Sequence, residues 1–270
     1  MIVDPEKVAA AIAEIAANEI APRFGRLEAH DVDTKSGPGD FVTEADRAAE
    51  HALCEALSDI YPAAAFVGEE SAAAQPESLA ALKGEGAFWV VDPLDGTRNF
   101  VEGRREFGTI VALIENGETR AGWIYAIPDE TFAIASIGDG ARWGEERLAP
   151  LENPSGALRG YRAVGNLEDK WRSTMLPRLR ARFETDPVKC SAYGYIHLAR
   201  GEKDFALYSR CHPWDHAAGI LMLGEIGGRA LYLDDGAPYR PVATQGRPML
   251  VAPSEDRFQL MRAALCGEAA

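Results

Sequence analysis

Trp89-Val90-Val91-Asp92-Pro93-Leu94-Asp95-Gly96-Thr97-Arg98-Asn99-Phe100 carries an apolar run into two carboxylates, a proline, a glycine and a threonine. Val90 and Val91 favour a buried strand, Pro93 is expected to stop it from pairing further, and Gly96 lets the backbone approach a ligand closely. Two hard anionic ligands at a strand end suit Mg²⁺, Mn²⁺ or Ca²⁺ rather than a soft metal. The N–H groups of Gly96 and Thr97 could hold a phosphate oxygen beside such an ion. Taken alone, an Asp-Gly pair is most often a solvated turn after an edge strand. The sequence around it decides between the two readings.

Upstream, residues 65–67 form a short apolar strand ending at Gly68-Glu69-Glu70, the same order of strand and then acid, so two strand ends can converge on one cluster. Residues 5–24 place Val8, Ile12, Ile15, Ala16 and Ile20 at helical spacing behind Asp4 as cap and Pro5 in the first turn. Residues 30–40, rich in Asp, Gly, Ser and Pro, read as a loop carrying Lys35. Thr43 caps a second helix with Asp46 in its first turn, and a short helix is expected near Leu79 before the turn at Gly84-Glu85-Gly86.

Downstream, residues 108–114, 121–126 and 131–137 read as an antiparallel meander broken at Asn116-Gly117, Pro128-Asp129 and Asp139-Gly140. A Pro/Gly/Ser-containing connection at residues 150–156 marks a soft boundary between halves 1–150 and 151–270, the first α+β and the second α/β. Beyond it, strands are expected at 161–164, 204–208 and 229–233. Helices are expected at 171–179, 193–199, 214–226 and 256–265, with Pro177 a caution about the far end of the first and Pro213 opening the third. Helix pairs segregated from antiparallel meanders make an α+β fold.

Composition narrows the function. A chain of 270 residues with 47% hydrophobic content can bury a sizeable core, and 28 basic against 42 acidic residues give a net charge of −14. That balance argues against a general affinity for nucleic acid or an anionic membrane, and an anionic substrate needs a local reversal of sign. Cys54, Cys190, Cys211 and Cys266 show no Cys-x-x-Cys spacing, and no run of eighteen apolar residues is present. Reduced thiols and a cytoplasmic location are the expectations.

The Asp-Pro-Leu-Asp-Gly-Thr run with Asn99-Phe100 resembles the signature of the inositol monophosphatase family of metal-dependent phosphatases. Three other stretches agree, in the family's order: Phe41-Val42-Thr43-Glu44-Ala45-Asp46, Gly68-Glu69-Glu70-Ser71, and Trp214-Asp215-His216-Ala217-Ala218-Gly219 with Glu225-Ile226-Gly227-Gly228. The resemblance implies a layered αβαβα sandwich, commonly a homodimer, using two or three Mg²⁺ ions, with Mn²⁺ as a substitute. It implies that Glu69, Asp92 and the Leu94 carbonyl bind one ion, and Asp92, Asp95 and Asp215 another. Asp46 would orient Thr97, whose hydroxyl with Glu69 positions the attacking water, while Gly96 and Thr97 hold the phosphate. Asp95, Asp215 and Tyr208 would face the substrate, a small sugar or polyol phosphate, with direct in-line attack and no phosphoenzyme.

Rival readings are weaker. Haloacid dehalogenase-type phosphatases use Asp-x-Asp-Gly-Thr, but Pro93-Leu94 puts two residues between the acids here. His212 and His216 flank Asp215 and suggest zinc, yet among so many carboxylates they read as supporting or surface groups. A non-catalytic interaction protein retaining the fold is the rival of another class, but every matched acid is present, so nothing in the sequence supports loss of activity, and fold alone does not prove that activity is kept. The departures concern substrate. A Gly-Ser-Ala-Ala element is replaced by Lys189-Cys190-Ser191-Ala192, and Tyr208 stands where inositol-specific members carry a glutamate. A phenol stacks or donates where a carboxylate accepts, so histidinol phosphate, fructose bisphosphate and nucleotide bisphosphates are alternatives to inositol phosphate.

Overall fold

The computed structural model describes residues 3–27, 31–34, 41–152, 154 and 156–267. Lys35 and most of the loop expected at 30–40 lie outside the described residues, as do positions 153 and 155 of the connection between the halves.

Helix α1 (Pro5–Ile15) starts where Asp4 accepts the Glu6 N–H at 2.9 Å and Pro5 fills the first helical position. It continues as a π-helical turn (Ala16–Ile20) and a 3-10 turn (Ala21–Arg23), so the single helix expected over 5–24 is three windings end to end. One stripe, Val8, Ile12, Ala16 and Ile20, is buried along all of it. A two-stranded ribbon, β1 (Val32–Thr34) and β2 (Phe41–Thr43), leads into α2 (Glu44–Ile60).

Next come β3 (Ala64–Gly68), α3 (Glu69–Ala74), a 3-10 helix around Leu79 (Pro76–Lys83), β4 (Ala87–Asp95) and α4 (Thr97–Val101). The expected meander follows as β5 (Gly108–Glu115), β6 (Glu118–Ala126) and β7 (Thr131–Ser136), extended by β8 (Gly140–Trp143) and β9 (Glu146–Arg147). These seven strands form one sheet in sequence order, parallel only between β3 and β4. Asn116 and Gly117 both have positive φ, 51° and 77°, as a two-residue hairpin turn between β5 and β6 requires.

The second half holds β10 (Arg159–Ala163), α5 (Asp169–Arg182), β11 (Glu184–Pro187), α6 (Ser191–Ala199), β12 (Phe205–Cys211), α7 (Pro213–Glu225), β13 (Arg229–Tyr232), β14 (Thr244–Ala252) and α8 (Glu255–Cys266). Its five-stranded sheet runs β11-β10-β12-β14-β13, with β10 parallel to both neighbours. Helix α5 passes through Pro177 to Arg182: the missing N–H costs one bond, and Leu176 and Leu179, both buried, hold the last turns in place.

Side-chain alternation sorts these elements into layers. On β4, Trp89 and Val91 pack with α1 and α2, while Phe88 and Val90 face a central core shared with α6 and α7. On β12, Ala206 and Tyr208 face that same central core, while Phe205 and Leu207 pack with α5 and α8. The order is therefore helices, sheet, helices, sheet, helices, the αβαβα sandwich expected. The central helices sit very close to their neighbours. A Cβ added at Gly122 of β6 would lie 2.7 Å from the Ala218 Cα of α7, and one at Gly219 would lie 2.1 Å from the Tyr195 ring of α6. Among the described residues no helix is long and apolar enough to cross a membrane.

Candidate active site

Every acid singled out in the sequence lies at the end of an element of this sandwich. Pro93 does not end the pairing of β4, as the sequence suggested. The ladder slips between Asp92 and Asp95, then resumes with Asp95 opposite Gly108. The residues passed over by the slip form a bulge, pinned by the Thr109 hydroxyl, which donates to the Pro93 carbonyl at 2.8 Å. Asp92 and Asp95 are consequently both buried, and their carboxylates lie with that of Asp215, in the first turn of α7, within 4.8 Å of one another. Glu69, the first residue of α3, joins them through a hydrogen bond with the Asp92 carboxyl.

The electrostatics follow from that crowding. Burial, and then the charges of Glu69, Asp95 and Asp215, push Asp92 well above the usual carboxylate range. Asp95 is also raised, by burial first, although three donors oppose the shift: the Cys190 thiol at 2.8 Å and the Ala192 N–H at 2.7 Å, both to Oδ2, and the Ser191 N–H. Asp95 thus serves as an acceptor at the N-terminus of α6, across 97 positions of sequence.

Asp46 sits one layer back and is almost fully buried. Its Oδ2 accepts the Thr43 N–H at 2.7 Å and the Thr43 hydroxyl at 2.6 Å, which also fixes the start of α2. Its Oδ1 faces the Thr97 hydroxyl at 3.1 Å, and that hydroxyl also faces the Leu94 carbonyl at 2.9 Å. Thr97 has one hydrogen for two acceptors, so its orientation is set by their competition. Gly96, at φ 84°, precedes α4, and a side chain there would press on the Glu106 carbonyl at 2.9 Å.

These groups border two adjoining chambers. One, of about 580 Å³, is lined by Glu69, Gly96, Thr97 and Arg98; the other, of about 390 Å³, by Asp95, Tyr208 and Asp215. Sizes in this range are usual for small-molecule sites. The structure therefore brings together all the residues singled out: Glu69, Gly96, Thr97, Asp95, Asp215 and Tyr208 on the chamber walls, and Asp46, Asp92 and Leu94 directly behind.

Over residues 4–265 the chain matches the model of the inositol monophosphatase family. The chain belongs to the inositol monophosphatase family. It is 32% identical over 212 residues to the inositol-1-monophosphatase of Bacillus subtilis, covering 77% of this chain and 78% of that one. It is 30% identical over 206 residues to the fructose-1,6-bisphosphatase/inositol-1-monophosphatase of Thermotoga maritima, covering 76% and 75%. In fold it resembles a staphylococcal inositol monophosphatase-1, with a TM-score of 0.79 at 18% identity over 96% of this chain and 93% of that one. As a member of this metal-dependent family the protein is a phosphatase acting on small phosphorylated substrates.

Among the described residues, the group of side chains close enough to hold a metal contains neither histidine. Burial lowers the pKa of His216 to about 3, so it is neutral. Tyr195 donates its hydroxyl hydrogen to Nδ1 at 2.8 Å, and Nε2–H points to the Arg210 carbonyl at 3.4 Å. His212 stacks flat on Trp214, with ring centroids 4.7 Å apart. Trp89 and Trp214 are buried, as expected of core residues.

Three functional supports were not singled out in the sequence. Glu50, buried on α2, accepts the N–H groups of Glu70 at 2.8 Å and Ser71 at 2.7 Å, and so caps the helix that begins with Glu69. Gly68 makes this possible, because a Cβ there would lie 2.3 Å from the Glu50 carboxyl. The signal was available: Glu50 lies one helical turn after Asp46. Cys190 and Arg210 gave no such local signal.

Proposed function

We propose that this phosphatase uses Mg²⁺ to hydrolyse the monoester of a small sugar or polyol phosphate by direct in-line attack of water. The observation that carries the reading is the gathering of Asp92, Asp95 and Asp215 within 4.8 Å at the meeting point of two chambers, with Glu69 bonded to Asp92. Crowded, partly buried carboxylates beside a backbone carbonyl are a hard, oxygen-only donor set, which fits Mg²⁺ or Mn²⁺ and not a soft metal. Glu69, Asp92 and the Leu94 carbonyl would hold one ion, and Asp92, Asp95 and Asp215 a second, in a total of two or three. When bound, such ions lower the pKa of water and offset the charge on the phosphate and the departing alkoxide.

The chain's own groups do the rest. Asp46 takes the Thr97 hydroxyl hydrogen, which turns the oxygen's lone pairs toward the chamber, where Thr97 and Glu69 accept hydrogen bonds from the attacking water. The N–H groups of Gly96 and Thr97 hold the phosphate. Asp95 and Asp215 border the chamber that receives the alcohol, and Tyr208 lies at its floor. A new bond from water oxygen to phosphorus forms as the ester oxygen leaves on the opposite side, and no protein group is phosphorylated. The protein acts in the cytoplasm as a homodimer, with no role for nucleic acid or membrane.

Tyr208 favours an alcohol other than inositol, since no carboxylate stands there to accept sugar hydroxyls. Fructose 1,6-bisphosphate, histidinol phosphate and nucleotide bisphosphates are the alternatives, the first in keeping with the double name of the Thermotoga relative. The test is Mg²⁺-dependent phosphate release across a panel of these esters, with Asp95→Asn as control. One ester well above the rest, lost in the variant, supports the reading. A trapped aspartyl-phosphate, or equal activity in the variant, would sink it.

A further inference from the structure

Cys190 takes no part in the chemistry described above, yet it touches both halves of the machinery. It immediately precedes α6, is buried, and borders the chamber that holds Asp95 and Asp215. Its sulfur lies 2.8 Å from Asp95 Oδ2 and 3.8 Å from the Asp95 carbonyl, so the one hydrogen of the thiol goes to the carboxylate. An ionised carboxylate has no hydrogen to give, which fixes the thiol as the donor.

The same side chain is packed on the turn that follows Asp95. A Cβ added at Gly96 would lie 3.2 Å from the Cys190 Cβ and 3.3 Å from its sulfur, so only a glycine lets the two segments come this close without displacement. The sulfur is thereby seated against Gly96 while it donates to the residue before it.

Asp95 needs such a hold. Burial and the charge of Glu69 both disfavour its ionised form, and the carboxylate sits at the end of two rotatable bonds. The Ala192 N–H reaches Oδ2 from the helix backbone, and the thiol reaches the same oxygen from a side chain. Groups that hydrogen-bond a metal ligand from behind set its orientation and with it the affinity for the ion.

We propose that Cys190 is a positioning residue for the cation site: its thiol holds Asp95 by Oδ2 and leaves Oδ1 to the ion. This rests on the reading of the acids as a Mg²⁺ site. The competing role is to fill space at the start of α6, and that role depends on the volume of the side chain and not on its hydrogen.

Three substitutions separate the two. Cys190→Ala leaves a gap, Cys190→Val fills the space without a donor, and Cys190→Ser keeps a donor in a smaller side chain. Metal-free, reduced proteins are titrated with Mg²⁺ by calorimetry and melted in EDTA. The Ala and Val variants each bind Mg²⁺ about tenfold more weakly than the unaltered protein, the lower end of the usual loss for such a partner. The Ser variant keeps most of the affinity, even where its melting temperature in EDTA falls as far as that of Ala. If one of Ala and Val does not fold, the other supplies the comparison. Unchanged affinity without a donor, or a loss in Ser equal to that in Ala, overturns the positioning role while leaving the Mg²⁺ site intact. Failure of the unaltered protein to bind Mg²⁺ overturns the reading of the acids, and this role with it.

Discussion

Stripped of metal, the protein should become less stable as pH rises, and Asp92→Asn should remove most of that loss. Burial and three neighbouring acids hold Asp92 well above its ordinary 3.8 in the folded state. Between that ordinary value and the raised one, the folded state binds more protons than the unfolded state. The contribution is therefore full below about pH 4 and declines by up to about 1.4 kcal/mol per pH unit as pH climbs through the window. The size is reasonable on Coulomb grounds, since unit charges 4.8 Å apart repel by about 3.5 kcal/mol at an effective dielectric constant of about 20. His216 acts in the opposite sense below about pH 6.5, because its buried ring resists protonation down to about 3. It is common to both proteins, so its contribution cancels in the difference between their melting curves. Thermal melts from pH 4.5 to 8.5 in EDTA should show the unaltered protein falling away from Asp92→Asn with rising pH. At about a hundred times its dissociation constant, Mg²⁺ adds about 2.7 kcal/mol, or about 5 °C, to the unaltered protein and little to the variant. Parallel melts in EDTA, or equal stabilisation of both by Mg²⁺, would refute the reasoning.

Three further substitutions probe the supports. Glu50→Ala leaves two N–H groups of α3 unpaired, which costs about 2–4 kcal/mol and raises the Mg²⁺ needed for half-maximal activity; an unchanged Mg²⁺ requirement would show that Glu69 needs no such anchor. Asp46→Asn opposes the Thr97 hydroxyl with an amide donor, which turns its hydrogen to the Leu94 carbonyl; kcat should fall about a hundredfold with KM little changed, and a drop in KM-limited rate alone would argue against the orienting role. Gly219→Ala drives a methyl group into the Tyr195 ring and should cost about 1–3 kcal/mol or more; a melting temperature within a degree of the parent would mean that α6 and α7 can part freely.

The fold was legible where burial is periodic. The run through Trp89, Val90 and Val91 announced β4, and the Asn116-Gly117 pair announced the hairpin that follows it. β14 was not legible, although it lies inside the second sheet, because Gly246 and Pro248 read as breakers. The structure accommodates both in the stretch where β14 slips against β12, with Gly246 at φ 87°. β11 was hidden for another reason: as an edge strand ending in Asp186-Pro187, it lacks an apolar face. In the site, the acids were legible because each sits in a short local pattern. Their anchors were not, since Cys190 meets Asp95 across 95 positions and Glu50 meets Ser71 across 21. Only folding brings such pairs together, and neither residue type signals its partner.

Those anchors explain how the fold holds four acids close together. Glu69 begins a helix capped by Glu50, Asp92 and Asp95 leave a bulge pinned by Thr109, and Asp215 begins a helix wedged against β6 through Gly122 and Ala218. Each carboxylate is placed by contacts made behind it, with other parts of the chain. Asp95 goes further, because its bonds to Cys190 and Ala192 join the end of β4 to the start of α6. Burial first, and then the charges of Glu69, Asp95 and Asp215, raise the pKa of Asp92, a penalty that the fold sustains and that a divalent cation would offset.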